Sequence, residues 1–495
     1  MDIHPLWMNN EIFFLSDRDF IMNVYAYNTA NATVRQVTNH TSGDVKWIEG
    51  NGKELVYEHD GYIHLLDPAT AKSTQLIINV TGDFPWAETR SENVTNSISG
   101  ASLSPTGKRI LLEARGDIFT VPVENGDPRN LTRSSSAADR RPLWSPNGKE
   151  IAWFSDKDGK DYALYISDQE GIKDPRKISI GESKLAWDAT WSPDAKYIAF
   201  TDNAVKVKVI ELSTGNMVTI DTGGTNLDRG NMNLTWSPDS KWLAYCKSSS
   251  NNFRNIMVWS AGSKTTRALS DPLADAVSPA WDLNGRYLYF LASTNVALGS
   301  GWANTSSQQA RPTFGAYLTI LRKDDPNPFP IKTDEEPDTT SKPATKDTTT
   351  FKGVRIDWEH LDRRIIAMPL PVGEYDGMLA GPKGSVLIIS GPSLSKYTVV
   401  DKKSEDIVKG GSQFAVSANG EKLLFKSGPN WRVVSTGKPA GPAEGIVGMT
   451  LRMELNRLDE WKQIFSEAWR YQKDYFYDRT CMAAIGRKYG SNIHH

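Results

Sequence analysis

One short phrase recurs along the chain and limits what it can fold into. Ser104-Pro105-Thr106-Gly107-Lys108 precedes the apolar run Ile110-Leu111-Leu112, and Ser145-Pro146-Asn147-Gly148-Lys149 precedes Ile151-Ala152-Trp153-Phe154. Two further copies are Ser192-Pro193-Asp194-Ala195-Lys196 and Ser237-Pro238-Asp239-Ser240-Lys241, with looser ones at Trp281-Asp282-Leu283-Asn284-Gly285 and Ser417-Ala418-Asn419-Gly420. Subtracting the start positions of the full copies (104, 145, 192, 237) gives spacings of 41, 47 and 45 residues. That period belongs to a repeat architecture and is too long for a solenoid turn of simple helices. Pro fixes φ at the second turn position and Gly supplies a positive φ near the end, so each copy predicts a tight turn with a strand starting after the Lys.

The second copy shows what one repeat holds. Glu150 to Ser155 reads as a strand, Ser155-Asp156-Lys157-Asp158-Gly159 as a turn, Tyr162 to Ser167 as a second strand, and Pro175 to Ser179 opens a third. About four short antiparallel strands per repeat is the content of one propeller blade. The aromatic before each phrase (Trp144, Trp191, Trp236, Trp281) falls on the strand expected to pack toward the next blade, where its apolar area needs a neighbour.

At 495 residues the chain is long enough for two or three domains, and a formal net charge of -2 without basic runs argues against nucleic acid or an anionic membrane as partner. Two cysteines, Cys246 and Cys481, supply no disulfide framework. No stretch has the length of a membrane-spanning helix, and Met1-Asp2-Ile3-His4-Pro5 lacks the features of a signal peptide.

Taken in order, residues 4–78 read as about two blades, too few to close a ring, so the start looks internal to a larger domain. Residues 79–97 read as a passage between domains. Phrase-bearing blades follow at about 98–132, 142–180, 187–222, 232–270 and 277–323. Residues 324–352, nearly free of apolar side chains, are expected to form a mobile surface insertion. A sixth blade is expected from Val354–Trp358, Arg364–Met368, Ser385–Ile389 and Tyr397–Asp401. A seventh takes Gln413–Val416, Lys422–Lys426, Trp431–Ser435 and a returning segment near Gly448–Leu455. The expected fold is all-β: a seven-bladed β-propeller over 83–450, preceded by the last blades of a first propeller (1–82) and followed by a short helical segment (451–495). In that segment Asn456 offers an N-cap, and Trp461, Ile464, Phe465, Ala468, Trp469, Gln472 and Tyr475 recur at helical spacing. So aromatic a face needs cover, from the propeller or from a domain that follows.

No catalytic constellation is legible. His59 and His64 flank the Asp60-Gly61 turn, where a metal pair is conceivable, but no Cys or third His stands near in sequence. There is no Gly-x-Ser-x-Gly elbow, and Ser393-Leu394-Ser395-Lys396 has the Ser-x-x-Lys spacing but lies between expected strands. Asp156-Lys157-Asp158 could hold calcium but is also ordinary hairpin chemistry. No catalytic, cofactor-binding or metal-ligating residue is therefore assigned, and no cofactor is expected.

Phe14-Leu15-Ser16-Asp17-Arg18-Asp19, Gly82-Asp83-Phe84-Pro85-Trp86, the run Ala101 to Arg109 leading into Glu113-Ala114-Arg115-Gly116-Asp117-Ile118-Phe119-Thr120-Val121-Pro122, and Asp459-Glu460-Trp461 to Asp474-Tyr475-Phe476-Tyr477-Asp478 together resemble the tricorn protease family, from about His4 to Asp478. The resemblance implies a six-bladed propeller, a seven-bladed one, then a helical subdomain, a PDZ-like domain and an α/β domain with the serine nucleophile. Arg479-Thr480-Cys481-Met482 leaves the family pattern before the positions of the catalytic His, Ser and Glu, so none of these is carried over. The chain is expected to be a fragment, or a truncated or frameshifted product, of a tricorn-like serine peptidase. Its expected function is non-catalytic channelling of oligopeptide substrates. The alternative is a free-standing TolB-like propeller that binds a protein or peptide, and a calcium-dependent propeller hydrolase is a third class. The resemblance further implies a cytoplasmic protein, short of a lost leader, with homo-oligomers of the full-length form, and no nucleic-acid or membrane partner.

Overall fold

The computed structural model describes residues 1–159, 161–295, 312–330 and 353–475. The part of the expected insertion that covers 331–352 lies outside them, as does Cys481. Two compact units divide the chain, Met1–Pro85 and a second that begins at Trp86.

The first unit is two four-stranded antiparallel sheets in sequence order: Asp2–Met8, Glu11–Ser16, Asn23–Asn28 and Thr33–Gln36, then Val45–Gly50, Leu55–His59, Tyr62–Asp67 and Lys72–Gln75. Phe13, Leu15, Val24, Leu55, Tyr57 and Leu66 are fully buried between them. The opening strand, Asp2–Met8, escapes a reading by alternation because Pro5 and a register shift between Ile3 and Leu6 interrupt it.

In the second unit the described residues form seven successive sheets of up to four strands, each strand antiparallel to the one before it. The innermost strands are Ile98–Leu103, Asp139–Trp144, Ala186–Trp191, Thr235–Trp236, Asp275–Trp281, Gly377–Ala380 and Ser412–Val416. The seventh sheet packs against the first, with Leu424, Trp431 and Val433 in one buried cluster with Ile110, Leu112 and Phe119, so the ring closes. This is a β-propeller, as the repeats require.

The recurring phrase acts as a hydrogen-bonded unit. Gly148 N–H donates to Ser145 O (2.9 Å). The Ser145 hydroxyl accepts from Glu150 N (2.9 Å) and donates to Asn147 Oδ1 (2.8 Å). The same pattern holds Ser192 with Asp194 and Tyr197, Ser237 with Asp239 and Trp242, and Ser417 with Asn419 and Lys422. Ser therefore satisfies the N–H that opens the second strand, which is why the strand starts there. Ala195 (φ 59°) and Ser240 (φ 61°) adopt the conformation that Gly148 (φ 76°) takes without a Cβ. At Gly420 a side chain is impossible, because a Cβ would sit 2.5 Å from Gly381 O.

Four expectations need correction. The tryptophans pack on the preceding sheet: Trp144 with Leu111 and Ile118, Trp191 with Ala152 and Phe154, Trp236 with Val207, and Trp281 with Ala244 and Cys246. Ile365–Ala367 is the fourth strand of the fifth sheet, pairing with Gly315–Ile320, and Val354–Trp358 is no strand. The sixth sheet is Gly377–Ala380, Ser385–Ser390, Ser393–Thr398 and Lys403–Val408. The long segment between the third and fourth strands of the fifth sheet displaces the latter in sequence and hides the pairing. Finally, the seventh sheet has three strands, and Arg452–Leu455 pairs with Arg90–Asn93, inside the stretch read as a passage.

The helix Arg457–Tyr475 (α1) follows, capped by Asn456 Oδ1, which accepts from Leu458 N (3.1 Å) and Asp459 N (3.3 Å). Its polar face meets the propeller. Glu460 binds Arg115 (2.7 Å), and the buried Glu467 accepts from Arg140 (2.9 Å), Tyr162 (3.0 Å), Gln463 (3.1 Å) and Arg470 (2.8 Å). Asp156, in the hairpin turn Asp156-Lys157-Asp158, accepts from Ala138 N, Gln463 and Arg470. Leu458, Trp461, Ile464 and Phe465 stay exposed, with Trp86 5.6 Å from Trp461. No helix among the described residues is long and apolar enough to cross a membrane.

Candidate binding channel

An innermost blade strand has one neighbour in its sheet, so its other edge borders the lumen. Such an edge tolerates proline and bulges, which a central strand does not. The register shifts between Ile98 and Gly100, Arg140 and Leu143, Ala186 and Asp188, Val277 and Ala280, and Ser412 and Ala415. Positive φ falls at Arg141 (55°), Ser278 (56°) and Gln413 (53°), the first two directly before Pro142 and Pro279.

Between the inner strands of the first, second, third and seventh sheets lies a cavity of about 390 Å³, of the size of small-molecule sites. Small residues make much of its wall: Gly100, Ala101, Ser102, Ala189, Ala415 and Ala418. Trp144, Trp187 and Trp191 add aromatic surface, and Pro105 and Pro146 of the recurring turns bound one end. The ring is uneven, since every residue of the inner strand Asp275–Trp281 is buried.

Charge gathers at the level of the bulges. Glu113, on the second strand of the first sheet, accepts Arg141 N–H at Oε2 (2.9 Å) and the Ser99 hydroxyl at Oε1 (2.8 Å), which fixes the bulge. Gly100 leaves room for that carboxylate, because a Cβ there would sit 3.1 Å from Oε2. On the inner strand of the third sheet Asp188 accepts from Leu234 N (3.3 Å). Burial raises its carboxyl above the usual range, against the lowering effect of the Leu234 N–H and the Arg141 guanidinium. The inner strand starts on the face that carries α1, since Asp139 N–H donates to Gly116 O (2.8 Å) in the hairpin whose Arg115 binds Glu460 of that helix. Arg140 reaches out to Glu467 on that helix, and Arg141 lines the cavity.

The residues singled out from sequence lie elsewhere. His59 and His64 do come together, and with a third histidine: the His40 ring stacks on His59 at 3.6 Å, with His64 6.2 Å away. His40, distant in sequence, is a third histidine that only the fold brings near. The ring nitrogens are engaged, His40 Nε2 with Tyr57 Oη (3.0 Å) and His59 Nε2 with Ser42 O (2.8 Å). Burial, helped by the two neighbouring imidazoles, lowers His40 to about 4. Among the described residues no group of three or more His, Cys, Asp or Glu is placed to hold a metal ion. Ser393 and Lys396 lie on one strand, with Lys396 bound to Glu405 (3.4 Å). Cys246 is buried, its thiol pushed up to about 12. Sequence reasoning missed Arg141, Glu113 and Asp188. The available signal was Arg141-Pro142 before the Trp of a repeat, a proline that only an edge strand accommodates.

Comparison with known proteins gives a consistent picture. Residues 98–437 match the family model of the tricorn protease second beta propeller domain, and residues 1–72 that of the tricorn protease N-terminal beta propeller domain. A tricorn protease homolog of Saccharolobus solfataricus is 23% identical over 96% of this chain and 43% of its own length. A putative tricorn-like protease C-terminal subunit of Sulfurisphaera tokodaii is 24% identical over 96% of this chain and 54% of its own. The crystal structure of the tricorn protease superposes with a TM-score of 0.74 at 16% identity, covering 99% of this chain and 48% of that one. The chain thus spans about half the length of these relatives.

Proposed function

The chain belongs to the tricorn protease family, and from that premise we propose that its second unit is a non-catalytic passage that selects oligopeptides for proteolysis. The observation that carries this reading is the lumen cavity, walled by strand edges and small side chains and charged at one end. Strand edges offer unpaired N–H and C=O groups to an extended peptide whatever its sequence. Trp144, Trp187 and Trp191 offer flat apolar surface to side chains of many kinds. No bond-breaking step is assigned to these residues; hydrolysis belongs, on this reading, to a catalytic part such as the relatives' names imply. The same reading places the protein in the cytoplasm, and homo-oligomeric assembly in the full-length form.

The test is titration of the chain with short unstructured peptides, following tryptophan fluorescence and product release together. Saturable binding without turnover is expected. Turnover at an enzyme-like rate overturns the non-catalytic assignment, and absence of binding overturns the passage itself.

A further inference from the structure

His40 rivets the two sheets of the first unit together. It lies in the connection between Thr33–Gln36 and Val45–Gly50, and its backbone is held by the first sheet. There the buried Asn23 accepts His40 N–H at Oδ1 (2.8 Å) and donates from Nδ2 to His40 O (3.1 Å). Its ring is held by the second sheet, stacked on His59 at 3.6 Å and sharing a hydrogen bond with Tyr57 Oη (3.0 Å). The Ser42 carbonyl can only accept, so His59 Nε2 carries the proton of that bond and a further proton must enter at Nδ1. His64 completes the group, 5.9 Å from His59 and stacked on Tyr57 at 5.0 Å.

Few charges stand by to balance these rings. The connection brings Asp44, which is engaged with Met22 N–H (3.0 Å), and the hairpin turn brings Asp60, 3.8 Å from His59. Glu58, on the other face of its strand, pairs with Lys46, and the fourth strand contributes the neutral Ser73 and Gln75. Among the described residues Asp60 is thus the one carboxylate within ion-pair distance of the stack, enough for one imidazolium and not for two. We propose that the stack of His40, His59 and His64 is an acid-operated joint. Acid puts a second charge into it, parts the rings and frees residues 37–44 from the second sheet, so that the first unit opens while the second keeps its fold. Burial, reinforced by His59 and His64 and opposed by Asp60, holds His40 at about 4, below its ordinary 6.5, and burial lowers His64 too. A group depressed in this way takes up its proton more readily once released, so the joint is tight above about pH 6.5 and loosens as pH falls toward about 4. The inference stands apart from the peptide-passage reading.

The experiment is hydrogen exchange of the full chain at pH 7 and pH 5, corrected for the intrinsic exchange rate and read by mass spectrometry of its peptides. Protection of residues 37–44 should fall at least about tenfold at pH 5, and that of the strand Arg109–Ala114 in the second unit should not change. His40→Phe keeps an aromatic ring on His59 and the backbone bonds to Asn23 but cannot take a proton, and His40→Gln is neutral and smaller. Either variant, whichever folds, should lose the pH response of residues 37–44. Equal protection at the two pH values in the wild-type chain overturns the joint. So does a parallel loss in the second unit, or an undiminished response in H40F or H40Q.

Discussion

The inner strands Asp139–Trp144 and Asp275–Trp281 share a plan. Each opens on a buried aspartate, breaks register near a residue of positive φ that precedes proline, and closes on a buried tryptophan. At the bulge of the second, Ser278 accepts from Met378 N (2.8 Å) and so ties the fifth sheet to the sixth. At the bulge of the first, the Arg141 side chain lines the cavity, where its guanidinium acts on the Asp188 carboxyl of the third sheet. The opening aspartates differ too. Asp275 accepts two hydrogen bonds from the Arg254 guanidinium (3.0 and 2.6 Å), whereas Asp139 has the Trp153 indole N–H (3.2 Å). Burial pushes Asp139 up to about 7, with Asp117 and Asp156 adding to the shift. One backbone device thus serves sealing in one strand and opening in the other, and the side chain at the bulge decides which.

The comparison can be broken first at its sealed side. Trp281 is 1% exposed and donates to Thr235 O (3.1 Å). Trp281→Ala should lower unfolding free energy by about 3–5 kcal/mol in urea titrations. A loss below about 1 kcal/mol would mean that this strand is not sealed.

The aspartates come next. The folded value of Asp139, about 7, lies above its ordinary 3.8, so the folded state holds that proton more tightly. Its contribution is complete below about pH 4 and is lost as pH rises to about 7. Asp139→Asn should therefore be more stable than wild type at pH 8, by about 2–4 kcal/mol, and nearly equal to it at pH 4. Thermal melts at the two pH values check this, and a difference that does not change with pH refutes it.

Ser278→Ala removes the acceptor for Met378 N–H and should cost about 1–3 kcal/mol. Arg141→Met, at the matching position, should change stability by no more than about 0.5 kcal/mol. Equal losses at the two bulges would erase the distinction between them.

Much of this fold was legible because its determinants are local. The Ser-Pro-x-Gly-Lys phrase and the one residue after it contain every atom of the hydrogen-bonded turn, from the Ser145 hydroxyl and Asn147 to Glu150 N, so each copy announces a strand start. What stayed hidden depends on residues far apart. Ile365–Ala367 finds Gly315–Ile320 across a long intervening segment, and Arg452–Leu455 finds Arg90–Asn93 from the other end of the unit. The helix period of α1 was plain, and its orientation was not. Glu467 turns inward because Arg140 and Tyr162, more than 300 positions earlier, satisfy it, while Trp461 and Phe465 remain outside. The lumen residues were invisible for a related reason, since Arg141 and Asp188 become neighbours only when the blades curve into a ring.

The pairing of Arg452–Leu455 with Arg90–Asn93 also sets a schedule for folding. Joining segments some 360 residues apart carries a chain-closure cost of about 5 kcal/mol, and contacts of such sequence separation form late. During synthesis at about 5–20 residues per second, the earliest sheets wait tens of seconds with the flank around Ile110 and Phe119 uncovered. A nascent chain arrested before Leu455 should therefore present an unlatched ring to chaperones and proteases, and release past that residue should protect the first sheet and the last in a single step.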